Sequence, residues 1–125
     1  MPGTFIYNSK DKTGNTGLYL HSGDKLSMNT SIIEDWKDLW IPSSLHGFNF
    51  PFKLFFPARW KDEKYYCLCG FIGDEKERNY FKIGLGVENF DVTKSGLLYI
   101  FVNDYNANWA YRNNKGVVKL DITIN

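Results

Sequence analysis

The chain has 125 residues, enough to bury a hydrophobic core without help from disulfides or metal ions, and we expect a single domain spanning residues 1–125. Aromatic residues make up 18% of the sequence and glycine is plentiful, which favours strands and tight turns over helices. The formal net charge is +1 with acidic and basic residues interspersed, which argues against partners such as nucleic acid or an anionic membrane. These properties predict an all-β sandwich.

The first residues do not have the pattern of a targeting signal. Residues 1–3 are Met-Pro-Gly, without the basic and apolar regions of a secretory leader, and no apolar run approaches the ~20 residues of a membrane-spanning helix. We therefore expect a cytoplasmic protein that does not insert into membranes. Release to the cell surface or the medium by an unusual route would leave no mark in the sequence and stays open.

Short strands are predicted in the first quarter of the chain. Residues 4–7 form an apolar run after which the sequence becomes polar and glycine-containing. Residues 18–20 and 25–28 are two further strand candidates, and the polar stretch 21–24 between them contains a glycine. This arrangement is typical of a hairpin or of a bend between two sheets.

Residues 31–40 break the strand pattern and predict a short helix. Ser31 and Glu34 have the spacing of a helix-capping box, and Pro42 would end the helix. The apolar residues fall on one helical face: Ile32, Ile33, Trp36, Leu39 and Trp40. We expect this face to pack into the core; a helix that binds a partner protein is the alternative.

The middle of the chain alternates apolar segments with charged turns. Residues 43–60 are rich in Phe and Pro, which confines them to edge strands or extended loop. Residues 65–73 predict a central strand, and residues 80–85 predict its hairpin partner across the charged turn 74–78. Residues 87–94 are expected to form a loop or a short strand.

The two cysteines are expected to be reduced core thiols. Cys67 and Cys69 lie two apart in a predicted strand, so their side chains share one face, roughly 6–7 Å apart along the strand. That separation is too large for an easy mutual disulfide, and the spacing is not that of a zinc site.

The last third of the chain contains the strongest candidate for a site. Residues 96–102 predict a strand, and residues 117–124 alternate between apolar and polar side chains as a half-buried antiparallel strand does. The loop between them gathers oxygen donors suited to Ca²⁺, namely Asn103, Asp104, Asn106, Asn108, Asn113 and Asn114. The same residue types also form ordinary turns, so a plain loop remains the alternative.

Two motifs in this region resemble those of a known family. The runs 99–104 (Tyr-Ile-Phe-Val-Asn-Asp) and 111–116 (Tyr-Arg-Asn-Asn-Lys-Gly), followed by a terminal strand, resemble the bacterial calcium-dependent galactophilic lectins, the Pseudomonas lectin A family. In that family an Asn-Asp pair closes one strand and a Tyr-x-Asn-Asn-x-Gly segment opens the next. Weaker similarity extends to residues 20–27 and to Cys69-Gly70.

The resemblance implies a small jelly-roll-like antiparallel β-sandwich, similar to galactose-binding domains, with at most one short helix. It also implies a Ca²⁺ cofactor and a galactose whose vicinal hydroxyls complete the metal's coordination. Asp104 would supply the carboxylate, Asn113 and Asn114 the amide oxygens, and Ala110 a backbone carbonyl. A further backbone carbonyl is expected from an aromatic residue near Trp36.

The same resemblance places the sugar against this loop. Asp104 and Asn113 would contact both metal and sugar, and Tyr111 is a further candidate for sugar binding. The loop from Asp104 to Asn113 is roughly two residues longer than in the family, and the longer loop carries Trp109. We expect the Trp109 ring to lie against the apolar face of a sugar, the alternative being a packing lid over the end of the sandwich.

The sequence therefore predicts a non-catalytic, calcium-dependent lectin whose partners are galactose-containing glycans. No pair of carboxylates suits glycoside hydrolysis, so we do not expect an enzyme. A homo-oligomer is expected, because single weak sites gain avidity by multivalency. The alternative is a structural or protein-interaction β-sandwich with a degenerate, metal-free site and an exposed aromatic patch formed by Trp36, Trp40, Phe48, Phe50 and Phe52.

Overall fold

The computed structural model describes residues 3–38, 41–50 and 55–125. Within these residues the chain consists mainly of β-strands joined by tight turns. In chain order the elements are β1 (Gly3–Asn8), β2 (Gly14–Leu20), β3 (Lys25–Asp38), β4 (Ile41–Pro42), β5 (Leu68–Ile72), a 3₁₀ turn (Glu75–Glu77), β6 (Tyr80–Lys82), β7 (Gly86–Asp91), β8 (Gly96–Val102), helix α1 (Asn108–Arg112) and β9 (Asn114–Ile124).

Among the described residues the strands form two antiparallel sheets with the main hydrophobic core between them. The first sheet has the order β1-β9-β3-β4, with β7 also paired to β3, and the second has the order β2-β8-β5-β6. Buried side chains from both sheets interlock between them, among them Tyr7, Leu26, Met28, Leu68, Leu98, Ile100, Val118 and Leu120. The predicted all-β sandwich with at most one short helix is therefore confirmed for the described residues.

Strand β9 lies in the middle of the first sheet, between β1 and β3. Its inward side chains Val118, Leu120 and Ile122 are at most 1% exposed, whereas Lys119 and Asp121 point to the other face. The alternation read from the sequence holds along this strand, because one face packs on the core and the other meets solvent.

The predicted helix at 31–40 is wrong. Residues up to Asp38 continue strand β3, which pairs with β9, and Leu39 and Trp40 lie outside the described residues. Pairing irregularities on either side of Glu34 interrupt the alternation, so the apolar spacing imitates a helix. The core therefore takes Trp36, which is 2% exposed, but leaves Ile32 and Ile33 about half exposed.

The middle of the chain is less regular than predicted. Strands β5 and β6 form the expected hairpin but are shorter than the segments 65–73 and 80–85, and β7 pairs with β3. The segment 43–60 follows β4, and its described part contributes Phe48 and Ala58 to isolated bridges with Tyr65 and Tyr105. Residues 51–54 lie outside the described residues. Both cysteines are buried and free, as expected.

No helix among the described residues is long and apolar enough to cross a membrane.

Candidate functional site

A cavity of about 230 Å³ opens at the end of the sandwich where β3 finishes and β9 begins. Two carboxylates, an amide and several aromatic rings converge on it. Of two larger cavities elsewhere in the described part of the chain, one has no carboxylate in its lining and the other has no aromatic ring. The lining consists of Asp38, Ile41, Phe50, Phe56, Tyr65, Asp104, Tyr105, Trp109, Ala110 and Asn113. Four of the residues predicted to form the site thus lie on one cavity, namely Asp104, Trp109, Ala110 and Asn113, whereas Asn114 does not line it.

Asp104 follows strand β8 and is 4% exposed. Its backbone carbonyl accepts a hydrogen bond from the Arg59 N–H at 2.8 Å, which fixes the start of the loop. Its Oδ1 accepts from the Tyr105 N–H at 2.7 Å. Its Oδ2 has no hydrogen-bond partner among the described residues. One oxygen of this buried carboxyl is therefore available to a ligand.

Asn114 is the first residue of β9 and is fully buried. Its Nδ2 donates to the Ser9 carbonyl at 3.1 Å, which orients the amide. Its Oδ1 is the other buried side-chain oxygen without a partner within the described ranges. Buried polar atoms are nearly always hydrogen-bonded, and leaving one unpaired costs about 1–3 kcal/mol. Two such oxygens on neighbouring elements point to an external ligand.

Asn103, the residue before Asp104, has a structural role. Asn103 is fully buried, and its Oδ1 accepts from the Trp60 N–H at 2.8 Å. Its Nδ2 donates to the carbonyls of Trp60, Glu63 and Lys64. Asn103 therefore anchors the neighbouring loop and has no free oxygen to offer a ligand.

Asp38, which sequence reasoning did not single out, also lines the cavity. It is the last residue of β3, and its Cα lies directly opposite that of Asn114 on β9. The helix predicted for this segment concealed the juxtaposition, since only a strand paired with β9 brings Asp38 to this position. A strand prediction for residues 31–38 would have provided the missing signal.

The electrostatics of the cavity are those of two carboxylates in a poorly solvated place. Burial, followed by repulsion from Asp38, raises the pKa of Asp104 from 3.8 to about 7, although the Tyr105 N–H and the nearby Asn114 side chain lower it. Burial also raises the pKa of Asp38. No ion pair within the described residues includes either carboxylate.

These donors fit a Ca²⁺ ion. Ca²⁺ takes about six to eight oxygens from carboxylates, amides, backbone carbonyls and water. Asp104, Asn113 and Ala110 line the cavity and offer a carboxylate, an amide and a backbone carbonyl. The buried Asn114 amide, next to the Asp104 side chain, adds a second amide oxygen. The described residues contain no cluster of three or more His, Cys, Asp or Glu side chains. The donor set is therefore hard and weakly charged.

Trp36, near which a further carbonyl ligand was predicted, lies away from the cavity lining. The backbone carbonyl of Trp36 accepts a hydrogen bond from the Ser43 N–H at 2.9 Å. The indole N–H of Trp36 donates to the Tyr66 carbonyl at 3.0 Å. The residue does not line the cavity. Its burial also removes it from the predicted exposed patch; Phe48 and Phe50 are half-buried, and Trp40 and Phe52 lie outside the described residues.

Aromatic rings line one side of the cavity. The rings of Phe56 and Tyr105 meet edge to face with centroids 5.5 Å apart, and the Tyr105 and Trp109 centroids are also 5.5 Å apart. Phe56 and Trp109 remain 45% and 50% exposed. A ligand in the cavity would therefore meet partly exposed aromatic surface beside the oxygen donors.

Tyr111 is not brought to the cavity. It is 1% exposed, and its hydroxyl donates to the Val102 carbonyl at 2.8 Å and accepts from Arg59 Nη1 at 3.3 Å. The intervening helix α1 turns this ring inward while Trp109, on the same helix, faces outward. The structure therefore places Tyr111 in the core beneath the loop.

Comparisons with known proteins identify the fold. No protein-family model matches the chain, and no similar sequence was found among curated proteins. The solved structure of the EclA N-terminal domain, described as a PllA-like lectin, aligns with a TM-score of 0.67 over 98% of this chain and 95% of that chain, at 15% sequence identity. The chain thus has the fold of a lectin domain to which its sequence is only distantly similar.

Proposed function

We propose that this protein is a non-catalytic, calcium-dependent lectin that binds galactose-type sugars at the cavity formed by Asp104, Ala110 and Asn113. The observation that carries the proposal is the pair of buried, unpartnered oxygens, Asp104 Oδ2 and Asn114 Oδ1. The fold shared with a PllA-like lectin supports the same function class.

Asp104, Asn113, Asn114 and the Ala110 carbonyl would hold the Ca²⁺ ion. When bound, the ion would supply coordination positions that two vicinal sugar hydroxyls complete. Asp104 would also accept hydrogen bonds from those hydroxyls, and the Asn113 amide would donate to them or accept from them. The backbone around these residues is already fixed, because Arg59 binds the Asp104 carbonyl and the Asn113 N–H caps helix α1.

The aromatic side of the cavity would select the sugar's orientation. A galactose ring has one face made mainly of C–H groups, and such a face packs on aromatic rings. Trp109 is half exposed and close to Tyr105, so its ring is accessible to a sugar held by the oxygen donors. In this proposal Trp109 contacts the sugar and leaves the metal donors unchanged.

Calorimetric titration with methyl galactoside tests the proposal. We expect binding in Ca²⁺, none after EGTA, and recovery when Ca²⁺ is returned. Asp104→Asn should abolish metal-dependent binding. Asn106→Ala is the matched control, because Asn106 is exposed in the same loop and does not line the cavity. Binding that survives EGTA, or no binding in Ca²⁺, would refute the proposal.

The cavity raises glycoside hydrolysis as a second candidate function, because Asp38 and Asp104 share it and burial raises the pKa of both. The amide-rich donor set beside Asp104 favours the lectin instead. Incubation with nitrophenyl galactosides, with and without Ca²⁺, separates the two. We expect no release of nitrophenol above the rate of the Asp104→Asn variant.

The proposed partners are galactose-containing glycans, and we propose that the protein forms a homo-oligomer to gain avidity. Light scattering coupled to gel filtration measures the mass. Comparison of free galactoside with a galactose-coated surface measures the avidity.

A further inference from the structure

Asp38 and Asp104 meet at one cavity although they belong to distant parts of the chain. Asp38 ends β3, and its Cα lies opposite Asn114, whose orphaned oxygen belongs to the proposed metal site. The cavity lining includes Asp38 together with Asp104, Ala110 and Asn113. The strand pairing thus brings a second carboxylate to a loop that otherwise offers one.

We infer that Asp38 is a second carboxylate ligand of the cation at this site, reaching it directly or through one water molecule. This inference rests on the proposed function and deepens it. It assigns to the site a donor that no comparison and no sequence motif supplied.

The observations favour a cation rather than a neutral ligand between the two acids. Two like charges that face one poorly solvated cavity repel each other, and a nearby positive charge removes that penalty. Neither carboxylate forms an ion pair with any described side chain. Asp104 Oδ2 and Asn114 Oδ1 are independent evidence for a ligand, since both are deeply buried and unpartnered among those residues.

A second carboxylate changes what the site should bind. The number of charged ligands is one of the main determinants of Ca²⁺ affinity in proteins. With Asp38 and Asp104 both ionised, the site would favour ions of higher charge, so Tb³⁺ should bind more tightly than Ca²⁺. Trp109, half exposed on the cavity wall, would sensitise Tb³⁺ luminescence.

The test compares Asp38→Asn with Asp35→Asn. Asp35 lies on the same strand but is exposed and lines a different cavity, so its variant controls for loss of a charge on β3. Ca²⁺ calorimetry and Tb³⁺ luminescence, without sugar, give the affinities. We expect Asp38→Asn to weaken Ca²⁺ binding about tenfold or more and Tb³⁺ binding further, and Asp35→Asn to change both by less than about twofold.

The outcomes distinguish a failure of this inference from a failure of the proposed function. Equal Ca²⁺ affinity in the Asp38→Asn and Asp35→Asn proteins would overturn the role of Asp38 while leaving the proposed function intact. No Ca²⁺ binding by the wild-type protein would overturn the calcium dependence and this inference together. Asp38→Ser, with folding checked by circular dichroism, serves as the second variant if Asp38→Asn does not fold.

Discussion

Arg59 and Asp104 are neighbours of opposite charge, and both are 4% exposed. Only the Arg59 side chain has all of its hydrogen-bonding groups paired. All five guanidinium N–H groups of Arg59 have acceptors. These are both carboxylate oxygens of Glu75, the Lys12 carbonyl, Thr13 Oγ1 and the Tyr111 hydroxyl. By contrast, Asp104 Oδ2 accepts no hydrogen bond from any of the described residues.

The two environments shift the pKa values of their carboxyl groups, Glu75 and Asp104, in opposite directions. Burial would raise the pKa of Glu75, but hydrogen bonds and charge from Arg59, with a further bond from Tyr80, lower it below its ordinary value. Burial and the Asp38 charge raise the pKa of Asp104 to about 7. Arg59 also lies over the Phe101 ring, 4.3 Å from its centroid. The hydrogen bonds of the Arg59 cluster, formed by Arg59, Glu75, Lys12, Thr13 and Tyr111, are thus complete within the protein, whereas Asp104 keeps an oxygen available to a ligand.

The difference indicates two separate tasks at one end of the sandwich. The paired side chains around Arg59 stabilise the metal-free fold, so replacing Arg59 should lower stability whether or not a ligand is present. The buried Asp104 carboxylate destabilises the metal-free fold, so replacing it should impair ligand binding without lowering stability. Variants at the two positions should therefore separate stability from binding.

The largest expected effect is that of Arg59→Met. The change leaves Glu75 without its main partner and removes hydrogen bonds to Lys12, Thr13 and Tyr111, so we expect the free energy of unfolding to fall by about 3–5 kcal/mol. Urea denaturation measures it. Lys25→Ala, which breaks the exposed pair with Asp91, is the control and should cost at most about 1 kcal/mol. A similar small loss for both variants would contradict a structural role for the Arg59 cluster.

Asp104→Asn should have the opposite effect on stability. In the presence of EGTA at pH 8 the wild-type carboxyl is ionised and buried, and the amide avoids this penalty. A shift of one pKa unit corresponds to about 1.4 kcal/mol, so we expect a gain on the order of 2–4 kcal/mol, with loss of Ca²⁺ binding. Destabilisation of the metal-free protein by this substitution would show that Asp104 is a structural carboxylate.

The pH dependence of the metal-free protein sharpens the same contrast. Because the folded-state pKa of Asp104 is raised, its penalty is full above about pH 7 and disappears as pH falls towards 4. The lowered pKa of Glu75 acts the other way, and its contribution is lost only at more acid pH. We expect stability to rise by about 2 kcal/mol between pH 8 and 5 and then fall, with the rise absent in Asp104→Asn. A flat profile in the wild-type protein would rule out the raised pKa.

The sequence was sufficient for the parts of this molecule that depend on local pattern. Strand β9 was predictable because strict alternation matches a sheet with one buried face, as Val118 and Leu120 show. Strand β3 was not, because its pairing irregularities near Glu34 disguise the alternation, and only pairing with β9 reveals its true course.

The candidate site divides in the same way. The positions of Asp104, Ala110 and Asn113 on one cavity follow from a loop whose residues are close in the chain. Asp38 depends on register between β3 and β9, and no local pattern encodes that. The inward position of Tyr111 depends on helix α1, which begins only at Asn108 and has no side-chain cap to announce it.

The smallest expected effect is that of Trp109→Ala, and it tests whether the open cavity has separable metal and sugar parts. The ring packs against Tyr105 at the surface and contributes no oxygen to the proposed metal site, so Ca²⁺ affinity should stay within about twofold. Galactoside affinity should fall about threefold to tenfold, close to 1 kcal/mol, which is typical of one aromatic contact. Phe55→Ala is the matched control, since Phe55 is 75% exposed and does not line the cavity. If Trp109→Ala weakened Ca²⁺ and sugar binding equally, the ring would act by holding the loop, and the division between aromatic wall and oxygen donors would have to be abandoned.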